Sequence, residues 1–120
     1  MKKFYKVVRR VGETRISAYV ERNVCQYQVN EWTYPTVKGT GLFVFDNKEM
    51  AQRYARTESG SEVWEVEIQG KPIHLWINYF VTEDYLREMF RRPETSNLSS
   101  NDYHNYSYAC DAVKLIKEVE

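Results

Sequence analysis

The stretch GTGLFVFDNKEMAQRYA, Gly39 to Ala55, decides the fold because its hydrophobic period changes part-way along. Leu42 to Phe45 is an unbroken apolar run, the pattern of a strand covered on both faces, and it is the candidate for the centre of a sheet. Asp46, with Glu49 three residues later, forms a D-x-x-E variant of the capping box. Met50, Ala51, Tyr54 and Ala55 then make one apolar stripe at helical spacing, which predicts a helix over about residues 47–57. Gly39 and Gly41 precede the strand. A phosphate-binding fingerprint has its glycines after a strand, at the start of a helix, so this order does not make a phosphate cradle. The glycines read as loop residues that use their backbone freedom.

Towards the N-terminus, residues 3–9 and 14–20 are rich in Val, Tyr, Phe and Ile, and Arg10-Val11-Gly12-Glu13 between them reads as a hairpin turn. In the second strand Ile16, Ala18 and Val20 alternate with Arg15, Ser17 and Tyr19, which puts Arg15 and Tyr19 on one face. Cys25 to Val29 suggests another short strand, and the Pro and Gly residues of NEWTYPTVKGTG, 30–41, argue for a loop. Towards the C-terminus, Glu58 to Ser61 breaks the helix and VWEVEI, 63–68, alternates with Trp64, Val66 and Ile68 on one face and Glu65 and Glu67 on the other. Gly70-Lys71-Pro72 turns into IHLWINYF, 73–80, read as a strand. Thr82, Glu83 and Asp84 open a second short helix that carries Tyr85/Leu86 and Met89/Phe90 and stops at Pro93. ETSNLSSNDYHNYSY, 94–108, has loop composition, and DAVKLIKEV, 111–119, reads as the closing strand. The expected fold is α+β, a single domain over 1–120 with a mostly antiparallel β-sheet and two short helices.

A chain of 120 residues suits one core, and 42% hydrophobic with 15% aromatic residues is enough apolar surface to fold. Lys plus Arg balances Asp plus Glu at 17 each, leaving no global field for duplex nucleic acid or an anionic membrane. Cys25 and Cys110 read as buried thiols in a reducing compartment, with a disulfide as the alternative. MKKFYKVVRR turns polar before a signal-peptide core forms and no apolar run reaches membrane-spanning length, so a cytoplasmic location is expected. His74 and His104 stand apart from any nucleophile at motif spacing, and the chain lacks clustered metal ligands. No catalytic residue, metal or cofactor is expected.

Tyrosine is the compositional anomaly, with ten residues. Tyr27, Tyr103, Tyr106 and Tyr108, with Trp32, Tyr34, Trp76 and Phe80, offer flat surfaces for stacking a base, although small sheet proteins also use such residues in cores and interfaces. The pairs Lys2-Lys3, Arg9-Arg10 and Arg91-Arg92 are too short to track nucleic acid. Arg15 differs, because a strand holds its planar guanidinium in position to grip phosphate through two nitrogens.

Gly39-x-Gly41-Leu-Phe-x-Phe followed by Ala51-x-x-Tyr54-Ala55 resembles the core of the ADP-ribosyltransferase superfamily. That resemblance implies an arginine from Arg9, Arg10 or Arg15 and an E-x-E pair from Glu65 and Glu67, while no S-T-S strand is visible. Over most of the chain, FYKVVR at 4–9, YQVNEW at 27–32, GTGLFVF at 39–45 and VWEVEI at 63–68 resemble small phage-encoded proteins, most of all the Thoeris anti-defence sponge family. This second resemblance implies a viral anti-defence protein, homo-oligomeric, that sequesters a small nucleotide-derived signalling molecule such as a cyclic ADP-ribose isomer or cyclic oligonucleotide without cleaving it. The chemistry such a ligand needs selects Arg15, Arg56, Trp76, Asn78, Phe80 and Tyr103 as ligand-binding residues. The alternatives are a phage inhibitor of a host defence protein, like an anti-CRISPR, and an ADP-ribosyltransferase-like enzyme.

Overall fold

A computed structural model of the protein describes residues 3–17, 25–36, 40–57, 59–74, 91 and 107–119. These residues form β1 (Phe4–Val11), β2 (Thr14–Ser17), β3 (Gln26–Tyr27), β4 (Trp32–Thr33), β5 (Leu42–Phe45), α1 (Lys48–Ala55), β6 (Ser61–Gln69), β7 (Ile73–His74), β8 (Ser107–Cys110) and β9 (Ala112–Val119). The strands make one sheet in the order β4-β9-β6-β1-β5-β8-β7, with β2 added to β1 and β3 to β2. Every ladder is antiparallel, so the fold is α+β and dominated by an antiparallel sheet.

β1 is the hub. One edge pairs continuously with β6 from Phe4↔Val66 to Arg9↔Ser61. The other edge changes partner: β5 meets it at Tyr5↔Phe45, and β2 takes over from Val8↔Ser17 to Val11↔Thr14. β2 and β3 continue away from β1, and after β3 the chain returns to the far side of the sheet, where Val29 bridges Leu115 and Trp32↔Lys114 pairs β4 with β9. The sheet thus curls until β1, β2, β3, β9 and β6 enclose an interior.

Alternation along each strand sorts the side chains into two layers. Phe4, Val8, Cys25, Tyr27, Leu42, Val44, Trp64, Val66, Cys110, Val113 and Leu115 fill the enclosed interior, with Ile68 and Tyr108 packed against it. The opposite face carries Val7, Phe43, Phe45 and Val63, all buried, and α1 lies over it with Met50, Ala51 and Tyr54 turned inward. The Tyr54 and Phe45 rings are 5.9 Å apart. All four residues of β5 are buried because both layers meet there, as its unbroken apolar run predicts; each such side chain contributes about 1.5–3 kcal/mol by leaving water.

Several local expectations are corrected. The N-cap of α1 is Asn47, not Asp46: Asn47 has extended backbone and its side chain accepts from the Met50 N–H at 3.0 Å. Two adjacent cap-competent residues left that choice to the docking of the helix. The helix ends at Ala55, ahead of the expected 57, where the Arg56 and Thr57 amides donate to Gln52 and Tyr54 in a closing turn. Trp32–Thr33 lies within the stretch read as loop, yet pairs with β9; Ser107–Tyr108, also read as loop, begins β8 and pairs with β5. In both cases a long-range partner supplies the hydrogen bonds that local composition does not reveal. The hairpin turn is shorter than expected, Gly12 and Glu13 alone, with Gly12 at φ +63. Of the strand expected at 73–80, Ile73 and His74 form β7; residues 75–80, residues 18–20 of the second strand and the helix expected from Thr82 to Pro93, apart from Arg91, which is helical, lie outside the described residues.

Candidate functional site

The β1–β2 register sets Arg10 directly opposite Arg15. Like charges at that spacing repel, so the pair needs a counter-charge. β6 provides one, since Val8↔Glu62 brings Glu62 onto the same face. Its Oε1 accepts from Arg15 Nε at 2.8 Å and from Trp64 Nε1 at 3.1 Å, while Oε2 lies 3.9 Å from Arg10 Nη1. The Arg15 guanidinium lies over the Trp64 indole, 5.1 Å from its centroid, a cation–π arrangement.

The electrostatics follow from this packing. Burial opposes the charge on Glu62, but the hydrogen bonds from Arg15 and Trp64, with the charges of Arg15 and Arg10, outweigh it and hold the carboxyl below its ordinary value. Arg15 and Glu62 are mostly buried, with side chains 20% and 14% exposed, whereas Arg10 reaches outward and also donates to the Gly12 carbonyl. Arg15 spends Nε on Glu62; among the described residues its two Nη groups have no hydrogen-bond partner. Among the described residues, two guanidiniums against one carboxylate leave a local excess of positive charge. Arg56, exposed just after α1, lines a shallow cleft of about 440 Å³ that also includes Ser61 and Glu62. The Ser61 hydroxyl is buried and unpaired among the described residues. The arrangement suits an anion of phosphate type, met by a rigid planar donor on an aromatic support.

Of the residues predicted from the sequence, Arg15 is bound to Glu62, whereas Arg56 follows α1 on the opposite face of the sheet and is not brought to Arg15. Trp76, Asn78, Phe80 and Tyr103 lie outside the described residues. Other aromatics considered for stacking serve different ends. Tyr27 is a buried core residue, Tyr108 packs edge-on to Phe4, and Trp32 is covered by Lys114 at 5.3 Å. Tyr34 stays exposed at 58%. Glu65 and Glu67 occupy the opposite face of β6 from Glu62; Glu65 pairs with Lys3 at 3.1 Å, so the E-x-E pair and Arg15 do not converge. Glu62 and Trp64 were missed as site residues, and Arg10 was named only as one of three arginines that the ADP-ribosyltransferase resemblance could use. The sequence placed Trp64 on a strand face, but only the β1–β6 register shows that Arg15 shares it.

Deeper in, Lys6 is 1% exposed and points into the enclosed interior. Its Nζ donates to the Phe43 carbonyl at 2.6 Å and lies 5.7 Å from the Tyr27 ring centroid. Burial pulls its pKa down to about 8, against the opposing influence of Cys110 and Cys25. Cys110 donates towards the Leu42 and Ala112 carbonyls, and burial pushes its thiol up to about 12 despite the Lys6 charge. Both cysteines are free and buried, as predicted, which suits packing rather than reactivity.

No family model, curated protein or solved structure matches the chain. Among the described residues no helix is long and apolar enough to cross a membrane, and no group of three His, Cys, Asp or Glu gathers as a metal site.

Proposed function

We propose that this chain is a binding protein for a phosphate-bearing, nucleotide-type signal, acting as a viral anti-defence sponge that holds its ligand without cleaving it. One observation carries the reading: Arg15 is fixed by Glu62 through Nε and supported by Trp64, with both Nη groups left without a partner among the described residues. An arginine held in this way loses little conformational freedom when it grips phosphate, which favours tight binding. The Arg10 guanidinium nearby gives an anion additional attraction in a chain with no net charge. The anti-defence role rests on the resemblance of the strand blocks to the sponge family, and the ligand chemistry on this site.

Titration calorimetry of the purified protein against cyclic ADP-ribose isomers and cyclic oligonucleotides tests the proposal. At least one should bind, Arg15→Ala should weaken binding tenfold or more, and heat-denatured complex should release the ligand chemically unchanged. Release of nicotinamide from NAD would point to the enzyme reading instead. Absence of binding to every nucleotide, with a host protein captured stoichiometrically, would point to an inhibitor and overturn the sponge.

A further inference from the structure

A second group of cations gathers on the other face of the sheet, the one that carries α1. The β1–β6 and β6–β9 registers set Tyr5, Glu65 and Lys117 in one row across three strands. Lys117 belongs to that row because of a β-bulge. β9 pairs Leu115 with Val66 but Lys117 with Glu65, so Ile116 is an extra residue between them. Regular alternation would send Lys117 to the side of Leu115, into the enclosed interior; the bulge reverses it and sets the ammonium on the face of Tyr5 and Glu65. Lys3 lies two residues before Tyr5 and pairs with Glu65 at 3.1 Å, and Lys48, the first residue of α1, borders the row from the helix. With Val119 these residues line a cleft of about 460 Å³.

The carboxylates do not cancel the lysines. Glu65 is committed to Lys3, and Glu118, although beside the cleft, pairs with Trp64 and so alternates to the opposite face. Lys48 and Lys117 are exposed, and among the described residues neither forms an ion pair. Three ammoniums thus meet one carboxylate, a local surplus of positive charge in a chain whose total is zero.

We propose that this cleft is a second ligand site, which takes a small phosphomonoester: its phosphate sits between Lys48 and Lys117, and its organic part lies against Tyr5 and Val119. Lysines are compact charges on flexible stems, suited to a phosphate approached from several sides rather than gripped through a planar fork. A phosphomonoester carries a charge of about −1.5 to −2 at neutral pH, which the two lysines without an ion pair balance. The cleft falls within the range of small-molecule sites, about 300–1,000 Å³, so it has room for more than the phosphate, and half-buried Tyr5 supplies aromatic surface for the remainder. The site is independent of the Arg15 reading, since the two lie on opposite faces and share no residue.

Titration of the intact, nitrogen-15-labelled protein with phenyl phosphate at low ionic strength tests this. The amides of Tyr5, Lys48, Glu65 and Lys117 should shift saturably, phenyl phosphate should bind more tightly than inorganic phosphate, and about 0.5 M salt should weaken both strongly. Lys48→Gln and Lys117→Gln, both at exposed positions outside the core, should each weaken binding about threefold, and the double variant about tenfold. Arg15→Ala should leave the affinity unchanged. Shifts confined to Arg10, Arg15 and Trp64, no saturable shift at all, or undiminished affinity in the double variant would each overturn the site. Tighter binding of an oligoglutamate peptide than of phenyl phosphate would overturn it too, in favour of an acidic protein partner.

Discussion

A single buried lysine stands against the rest of the core, and its effect on stability can be given a sign. Lys6 has a folded pKa of about 8 against an ordinary 10.5. Between those values the unfolded chain binds more protons than the folded one, so stability rises as pH increases from about 8 to 10.5 and is flat below. The full span corresponds to about 3 kcal/mol of destabilisation at neutral pH. Replacing the side chain with Met removes that cost together with the hydrogen bond from Lys6 to the Phe43 carbonyl, a loss of about 1–2 kcal/mol. Lys6→Met should therefore be about 1–2 kcal/mol more stable than wild type at pH 7 in urea titrations, and less stable above pH 10. Glu62 runs the other way. Its lowered pKa means that its contribution is complete above the unfolded carboxyl value and is lost as pH falls through the folded one. Glu62→Gln should cost about 1–2 kcal/mol at pH 7, because Arg10 and Arg15 then face each other without a counter-charge, and its stability gap to wild type should close as pH falls below 4.5.

Among the elements, α1 depends on one cap and the turn that follows β6 on one backbone shape. Asn47→Ala leaves the Met50 N–H without its side-chain acceptor and should lower stability by about 1 kcal/mol, measured as a shift of the urea midpoint at unchanged slope. Gly70 follows β6 at φ +83, and a Cβ there would collide with the carboxylate of Asp111, whose own N–H is tied to the Gln69 carbonyl. Gly70→Ala should thus lower the thermal midpoint more than Asn47→Ala, through strain and steric conflict together. The GTGLFVFDNKEMAQRYA and VWEVEI stretches were legible because each carries a full period of its element. β4 was not, since two residues hold no period and its partner β9 lies some eighty positions away in sequence. The alternation of FYKVV puts Lys6 on the face of Phe4 and Val8, yet nothing local says that this face is enclosed. Arg15 was legible as a rigid basic group, whereas its partners on β6 required the strand register, a long-range property.

Across the whole molecule, the first and last strands flank β6 and run parallel to each other, since each is antiparallel to it. Phe4 opens β1 beside Val66, and Val119 closes β9 beside Val63. A mechanical load applied at Phe4 and Val119 would slide β1 and β9 in opposite directions along β6, so both ladders would bear the force together rather than opening one pair at a time. Single-molecule pulling through these two positions should rupture at a distinctly higher force than pulling between Gly12 and Val119, where the load enters β1 at its hairpin end. β6 thereby acts as a shear joint, and the sheet resists tension most where β1 and β9 are gripped at opposite ends.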